Sequence, residues 1–428
     1  MSLGLMRMST LKNFQLALYD IDHNAQIRVP DLIYDLPYTL NSIRIQGSWI
    51  ITNPSSLFRP NLHTLNLHCH PLSTKLTMKQ CLSALAQMHS LRNLSLVNVW
   101  DEHSALDALP QVTLPHLDTL RIEGDPSVLC SVFLEHIETT SLTLIAIVGD
   151  GCQSAQDFDR LTLSLSTTVK KNPFLPSARR LSIDYSRPRS YLSISAWRLP
   201  FSSSASLEFK VTYAQRFGHD PSWNDSLLSS LDLSRLEEYL VDFVHHSSLP
   251  TFIPHIPTIT ALSLGWHTLD MLPLLLMPVH GLDKQISPLQ SFPALQTLCF
   301  NYSRYGKTYT NDGLEEVVKN IVTAFQVRAP YNAPDAPFRI RCIKNNPYLP
   351  RLLDAVGKGV IAMYKRFMAE ETRGGSPWEL WFDYTVDGRP EGKKTVRCQI
   401  TDFERNEWPF SGKDVQFDVM LELWVKYT

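Results

Sequence analysis

The stretch PNLHTLNL, Pro60 to Leu67, decides how this chain is read. A proline is followed by apolar residues spaced L-x-x-L-x-L: Leu62, Leu65 and Leu67. The last two anchors flank Asn66, so they leave a short strand on one side while Asn66 leaves on the other. The proline fixes φ and brings no donor, which suits the start of a strand. The pattern returns as PHLDTLRI (Pro115 to Ile122), PSARRLSI (Pro176 to Ile183), PTITALSL (Pro257 to Leu264) and PALQTLCF (Pro293 to Phe300). One strand-plus-connector unit cannot bury its own apolar side, so recurring units have to stack.

The first apolar position of each phrase serves as a marker. Clear markers are Leu40, Leu62, Leu91, Leu117, Ile259 and Leu295, with Ala178 clear in its last two anchors. Weaker forms begin at Leu11, Leu142, Ser204 and Leu236. From Leu11 to Leu295 the ten intervals cover 284 residues, a mean of 28.4 and a range of 22 to 36. A leucine-rich repeat spans roughly 20–29 residues, so the mean fits and the long intervals require insertions. The expected fold is α/β: a leucine-rich-repeat solenoid of about eleven irregular units, its strands forming a curved parallel sheet with helices outside.

Amphipathic segments between phrases supply those helices. Thr77 to Met88 places Cys81, Leu82, Leu85 and Met88 near one face, and Asp125 to Ile137 does the same with Leu129, Val132 and Phe133. Glu315 to Val327 is a third. The ninth place of the phrase, where regular repeats carry Asn or Cys, holds Ser48, His70, Val99, Asp125, Ser186, His267 and Ser303. The asparagine ladder is therefore expected to be missing. Ser202 to Ser234 is the least repeat-like stretch and reads as a long loop or insertion.

Residues 1–329 are assigned to the irregular solenoid and residues 330–428 to a C-terminal capping region with strands and one helix. In the latter, FRIRCI (Phe338 to Ile343) alternates as a strand and Pro350 to Met368 is helix-like. Three aromatic strands follow: Trp378 to Val386, Thr395 to Phe403 and Val415 to Tyr427. VDGRPEGKK between the first two is a hairpin turn. A stack needs a terminal cap over its last apolar face, and this aromatic-rich tail suits that role.

Composition narrows the function. Apolar residues make up 44% of the 428, enough for a continuous core, and the formal net charge of −2 argues against a nucleic-acid or membrane partner. Seven cysteines, odd in number and without a C-x-x-C, point to a reducing, intracellular setting, cytoplasmic or nuclear. MSLGLMRMST lacks the apolar run of a signal peptide, and Met271 to Val279 is too short to span a membrane. HTLNLHCH (His63 to His70) tempts as a metal cluster, but no second ligand pair is evident and its histidines read as surface residues. No G-x-S-x-G, phosphate-binding glycine loop or H-E-x-x-H occurs. The expectation is a protein that is not an enzyme, with no cofactor, metal or catalytic residue.

The sharper expectation is a protein client on the concave face, held by the outward residues beside the anchors. The candidates are Arg44, Asn66, His68, Arg121, Glu123, Asp184, Tyr185, Trp266, Asn301 and Tyr302, with Gln46, Ser95, Val97, Ser182 and Ser263 between them. Exposed Tyr, Trp and Arg are common interface anchors. Alternatives are a small-molecule receptor using Arg121, Arg180 and Tyr185, or a structural scaffold assembling through the tail.

The degenerate P-x-L-x-x-L-x-L units, uneven intervals and aromatic tail resemble the leucine-rich-repeat region of fungal F-box proteins. The resemblance runs from Leu11 to Phe300, about two thirds of the chain. It implies protein binding as the substrate-recognition repeats of an F-box ubiquitin-ligase subunit. In that family a helical F-box precedes the repeats and docks on a ligase adaptor. Met1 leads almost directly into repeats here, so an adaptor is expected as a partner only if an F-box lies outside this chain.

Overall fold

The computed structural model describes residues 11–18, 27–28, 39–47, 49–50, 57–70, 75–175, 177–186, 191–198, 205–213, 227–242, 256–265, 292, 294–295, 297–301, 338–342, 379–385, 393–399 and 421–426. The fold is α/β, with mostly parallel strands and few helices among these residues. Two compact units divide the chain: Met1–Arg179 with Tyr185–Leu233, and Arg180–Asp184 with Ser234–Thr428.

In the first unit the phrases are strands, paired with their anchors in register. β1 (Asn13–Leu18), β3 (Ser42–Gly47), β5 (Thr64–Cys69), β6 (Asn93–Val97), β8 (Thr119–Pro126) and β10 (Leu144–Cys152) lie side by side and parallel. Short bridges join β2 (Ile27–Arg28) to β4 (Trp49–Ile50) and β7 (Val112–Thr113) to β9 (Ile137–Glu138). Leu65 pairs with Ile43 and Leu94, and the row continues through Leu120 to Ile145. Ile45, Leu67, Leu96, Ile122 and Ile147 form a second row. Both rows are buried, as are the first anchors Leu40, Leu62, Leu91, Leu117 and Leu142. Each such side chain contributes about 1.5–3 kcal/mol when removed from water.

The backbone repeats as faithfully. The residue after the first anchor donates its N–H to the carbonyl of the matching residue one phrase back. Asn41 donates to Lys12 at 2.7 Å, and His63 to Asn41, Arg92 to His63, Asp118 to Arg92 and Thr143 to Asp118, each at 2.8 Å. Turns that begin each strand are thereby satisfied by their neighbours, which buried backbone requires.

Helices occupy the intervals. α1 (Met78–Leu85) and α2 (Ser127–His136) fall within the two amphipathic segments read from sequence. The Thr77 hydroxyl accepts from the Gln80 N–H, and the Gln80 side chain accepts from the Thr77 N–H, closing a capping box. α3 (Ala155–Lys171) lies outside the helices expected from sequence; it fills the 36-residue interval between Leu142 and Ala178. Ser154 and Asp157 cap its start, and Lys170 and Lys171 suit its carbonyl end. Asn172 ends it, donating to Thr139 Oγ1 and the Thr168 carbonyl while accepting from the Leu142 N–H. Arg160 of α3 forks onto Glu135 of α2, and that hydrogen bonding holds the Glu135 carboxyl below its ordinary range.

Among the described residues the ladder has a rung at Asp125. Asp125, at the ninth place of the Leu117 phrase, is fully buried and accepts from the N–H groups of Val99 and Trp100 at 3.3 and 3.1 Å. Burial drives its carboxyl up to about 7, against the pull of those two hydrogen bonds and of Lys75. Gly124 beside it has φ +74°, and a Cβ there would collide with the Asn98 side chain. Trp100 is buried beside Phe133 of α2, ring centroids 4.9 Å apart.

Phrase order breaks at one point. β13 (Leu207–Tyr213), from the weak Ser204 phrase, pairs parallel with β10, the place the Ala178 phrase would take in a simple stack. β12 (Tyr191–Trp197) runs antiparallel to β13. The region read as a long loop or insertion therefore contains a sheet strand. The Ala178 phrase becomes β11 (Arg180–Ser186), and Arg180–Asp184 belong to the second unit.

In that unit β11 pairs parallel with β14 (Glu238–Asp242), followed by β15 (Ala261–Gly265), β16 (Thr297–Asn301) and β17 (Phe338–Cys342). The anchors again align: Leu181, Tyr239, Leu262, Leu298 and Ile340 share one register row. Beyond β17 the sense reverses. β18 (Glu379–Thr385), β19 (Lys393–Gln399) and β20 (Leu421–Lys426) are antiparallel, and β18 with β19 flank the expected hairpin turn. The helical readings over residues 315–327 and 350–368 lie outside the described residues.

Candidate functional site

On each strand of the first unit the anchors point to the buried side, so the residues between them share the opposite, open face. Register places them in rows. Arg44, Asn66, Ser95, Arg121, Ala146 and Glu208 follow one another across β3, β5, β6, β8, β10 and β13, with Ser195 of β12 beyond. Gln46, His68, Val97 and Glu123 form a neighbouring row, and Thr64, Asn93 and Thr119 a third. Members of all three rows, with Trp197 and Ala205, line one concavity of about 910 Å³.

The structure thus brings together Arg44, Asn66, His68, Arg121 and Glu123. Asp184 is half-buried at the end of the Arg180–Asp184 segment of the second unit. Tyr185 continues β11 and Asn301 ends β16, but their side chains, and Trp266 and Tyr302 altogether, lie outside the described residues. Ser263, read as outward, is buried. Ser195, Trp197, Ala205 and Glu208 are lining residues that the strand phrase did not predict. Glu208 was open to the same alternation rule, since it stands between the buried anchors Leu207 and Phe209.

The face has a definite charge layout. Arg121 bonds Glu123 two residues on, through Nη2 at 2.6 Å and Nε at 3.0 Å, so these charges offset each other. Arg180 is held by Glu238 at 3.3 Å in the second unit. Both cations of the small-molecule reading are therefore already engaged. Asn93 donates to Thr64 Oγ1 at 3.3 Å. Arg44 and Glu208 have no ion-pair partner among the described residues.

Histidine and cysteine do not gather into a metal centre among the described residues, where no group of three potential ligands occurs. His68 lines the open face, whereas Cys69 next to it is buried. Cys81, Cys130 and Cys152 are free, buried thiols whose ionisation is pushed up chiefly by loss of solvent. No helix among the described residues is long and apolar enough to cross a membrane. No protein-family model matches the chain, and no curated protein matches it.

Proposed function

We propose that this chain is a protein-interaction module, a leucine-rich-repeat solenoid that holds a client on the open face of its first unit. One observation carries the reading. Seven strands line one concavity, largely with polar side chains, and Arg44 and Glu208 in it have no ion-pair partner among the described residues. An open, mostly polar surface suits recognition of a protein, with Trp197 and the arginines as candidate anchors. The resemblance to the substrate-recognition repeats of an F-box ubiquitin-ligase subunit supports a protein that presents a client rather than transforms it. In this reading the antiparallel strands after β17 close the last apolar face, and the setting is intracellular and reducing.

Blocking the floor of the concavity tests the proposal. Ser95 is half-buried in its lining, and Ser95→Trp fills space there. Tryptophan is common in strands, and a circular-dichroism melt of the variant checks that folding is retained. Pull-downs from cell extract should lose a defined set of proteins with Ser95→Trp and keep that set with Leu163→Ser, at an exposed position of α3. Identical sets from wild type and both variants would overturn the assignment.

A further inference from the structure

The open face is polarised along its central row. Arg44 stands on β3 and Glu208 on β13, five strand steps away. Neighbouring strands lie roughly 4.8 Å apart, so the two charges are on the order of 24 Å apart along the sheet. Between them stand Asn66, Ser95 and Ala146, which are neutral, and Arg121, which Glu123 neutralises. Lys210, two residues beyond Glu208, lies over the Tyr191 ring at 5.0 Å and is not part of the lining. Among the described residues, this row offers one available guanidinium, a neutral polar floor and one available carboxylate.

We propose, resting on the binding reading above, that this row takes a single extended peptide segment laid across the strands, with an acidic side chain on Arg44 and a basic one on Glu208. An extended chain rises about 3.3–3.4 Å per residue, so the two partner residues stand roughly seven positions apart. Asn66 and Ser95 supply hydrogen-bond groups for its backbone, which otherwise forfeits those bonds on leaving water. Ala146 and Ser95 are small enough to admit main chain closely. A polyanion such as nucleic acid fits poorly, because one available cation at one end faces a carboxylate at the other. A small metabolite cannot bridge charges so far apart.

The test is a phage-displayed library of random twelve-residue peptides panned on the whole chain. Affinities of the recovered sequences are then measured as synthetic peptides by fluorescence anisotropy. The expected consensus carries Asp or Glu and Lys or Arg six to eight positions apart. Arg44→Glu and Glu208→Arg should each weaken binding roughly tenfold. Their double variant should bind best to a peptide with the two charges exchanged. Arg44→Gln and Glu208→Gln, milder at each site, should cost roughly threefold and guard against misfolding of the reversals. A consensus without opposed charges, no binders at all, or affinities unmoved by the reversals would overturn the proposal. If Ser95→Trp still abolishes binding in that last case, only the charge assignment fails. If Ser95→Trp also has no effect, the binding face itself is wrong.

Discussion

The two faces of the sheet in the first unit obey different rules. On the buried face the same position is leucine or isoleucine from β3 to β10, in two unbroken rows. On the open face the matching row reads Arg44, Asn66, Ser95, Arg121 and Ala146, with no residue used at successive steps. Stacking demands the same apolar volume from every unit, so the buried side converges. The open face has no shared apolar volume to supply, so its residues vary from strand to strand.

The contrast breaks if the buried side proves tolerant. Trp100→Ala removes the largest fully buried side chain among the described residues and its packing on Phe133, and it should cost about 3–5 kcal/mol in urea unfolding. A loss under about 1 kcal/mol, the range of ordinary surface changes, would mean that this edge of the core is not closed.

Asp125 marks where the buried side departs from apolar uniformity. Asp125→Ala strands the Val99 and Trp100 N–H groups and should cost roughly 2–3 kcal/mol. The native carboxyl also links stability to pH. Its folded value of about 7 exceeds the ordinary 3.8, so the folded state binds the proton more tightly. Stability contributed by this group is full below about 4, falls as pH rises toward 7, and is flat above. Asp125→Asn keeps one acceptor and removes the charge. Thermal unfolding from pH 4 to 8 should show a shallower decline, with the gain over wild type largest at pH 8.

Smaller effects sharpen the contrast. Ser95→Trp should change stability by less than about 0.5 kcal/mol while abolishing peptide binding, the reverse of the Trp100 result. Arg160→Ala loses the fork onto Glu135, a half-exposed pair between α3 and α2, and should cost under about 1 kcal/mol. Its peptide affinity should equal wild type.

The same contrast explains what was legible in the sequence. Leu65, Leu67, Leu120 and Ile122 were readable because a buried row repeats the same chemistry at a fixed spacing. Asn66, His68, Arg121 and Glu123 followed from alternation alone. Strand order was not legible, because pairing partners are chosen by tertiary packing: β13 rather than β11 takes the place beside β10. That rearrangement adds Glu208, Ser195 and Trp197 to the concavity. α3 is invisible to the strand phrase, although Phe158, Leu161, Leu165 and Val169 recur at helical spacing. The rung at Asp125 does not fit the Asn-or-Cys rule, yet a buried carboxylate accepts from backbone N–H groups just as an asparagine oxygen does.

One measurement tests the division between faces most directly. Every residue from Thr64 to Cys69 and from Asn93 to Val97 is replaced in turn, reading unfolding free energy and affinity for a panned peptide on the same samples. Substitutions at Leu65, Leu67, Cys69, Leu94 and Leu96 should lower stability and leave the affinity of the folded fraction unchanged. Substitutions at Thr64, Asn66, His68, Asn93 and Ser95 should do the opposite. Equal losses of stability on both faces, or peptide affinity indifferent to the open one, would contradict the account.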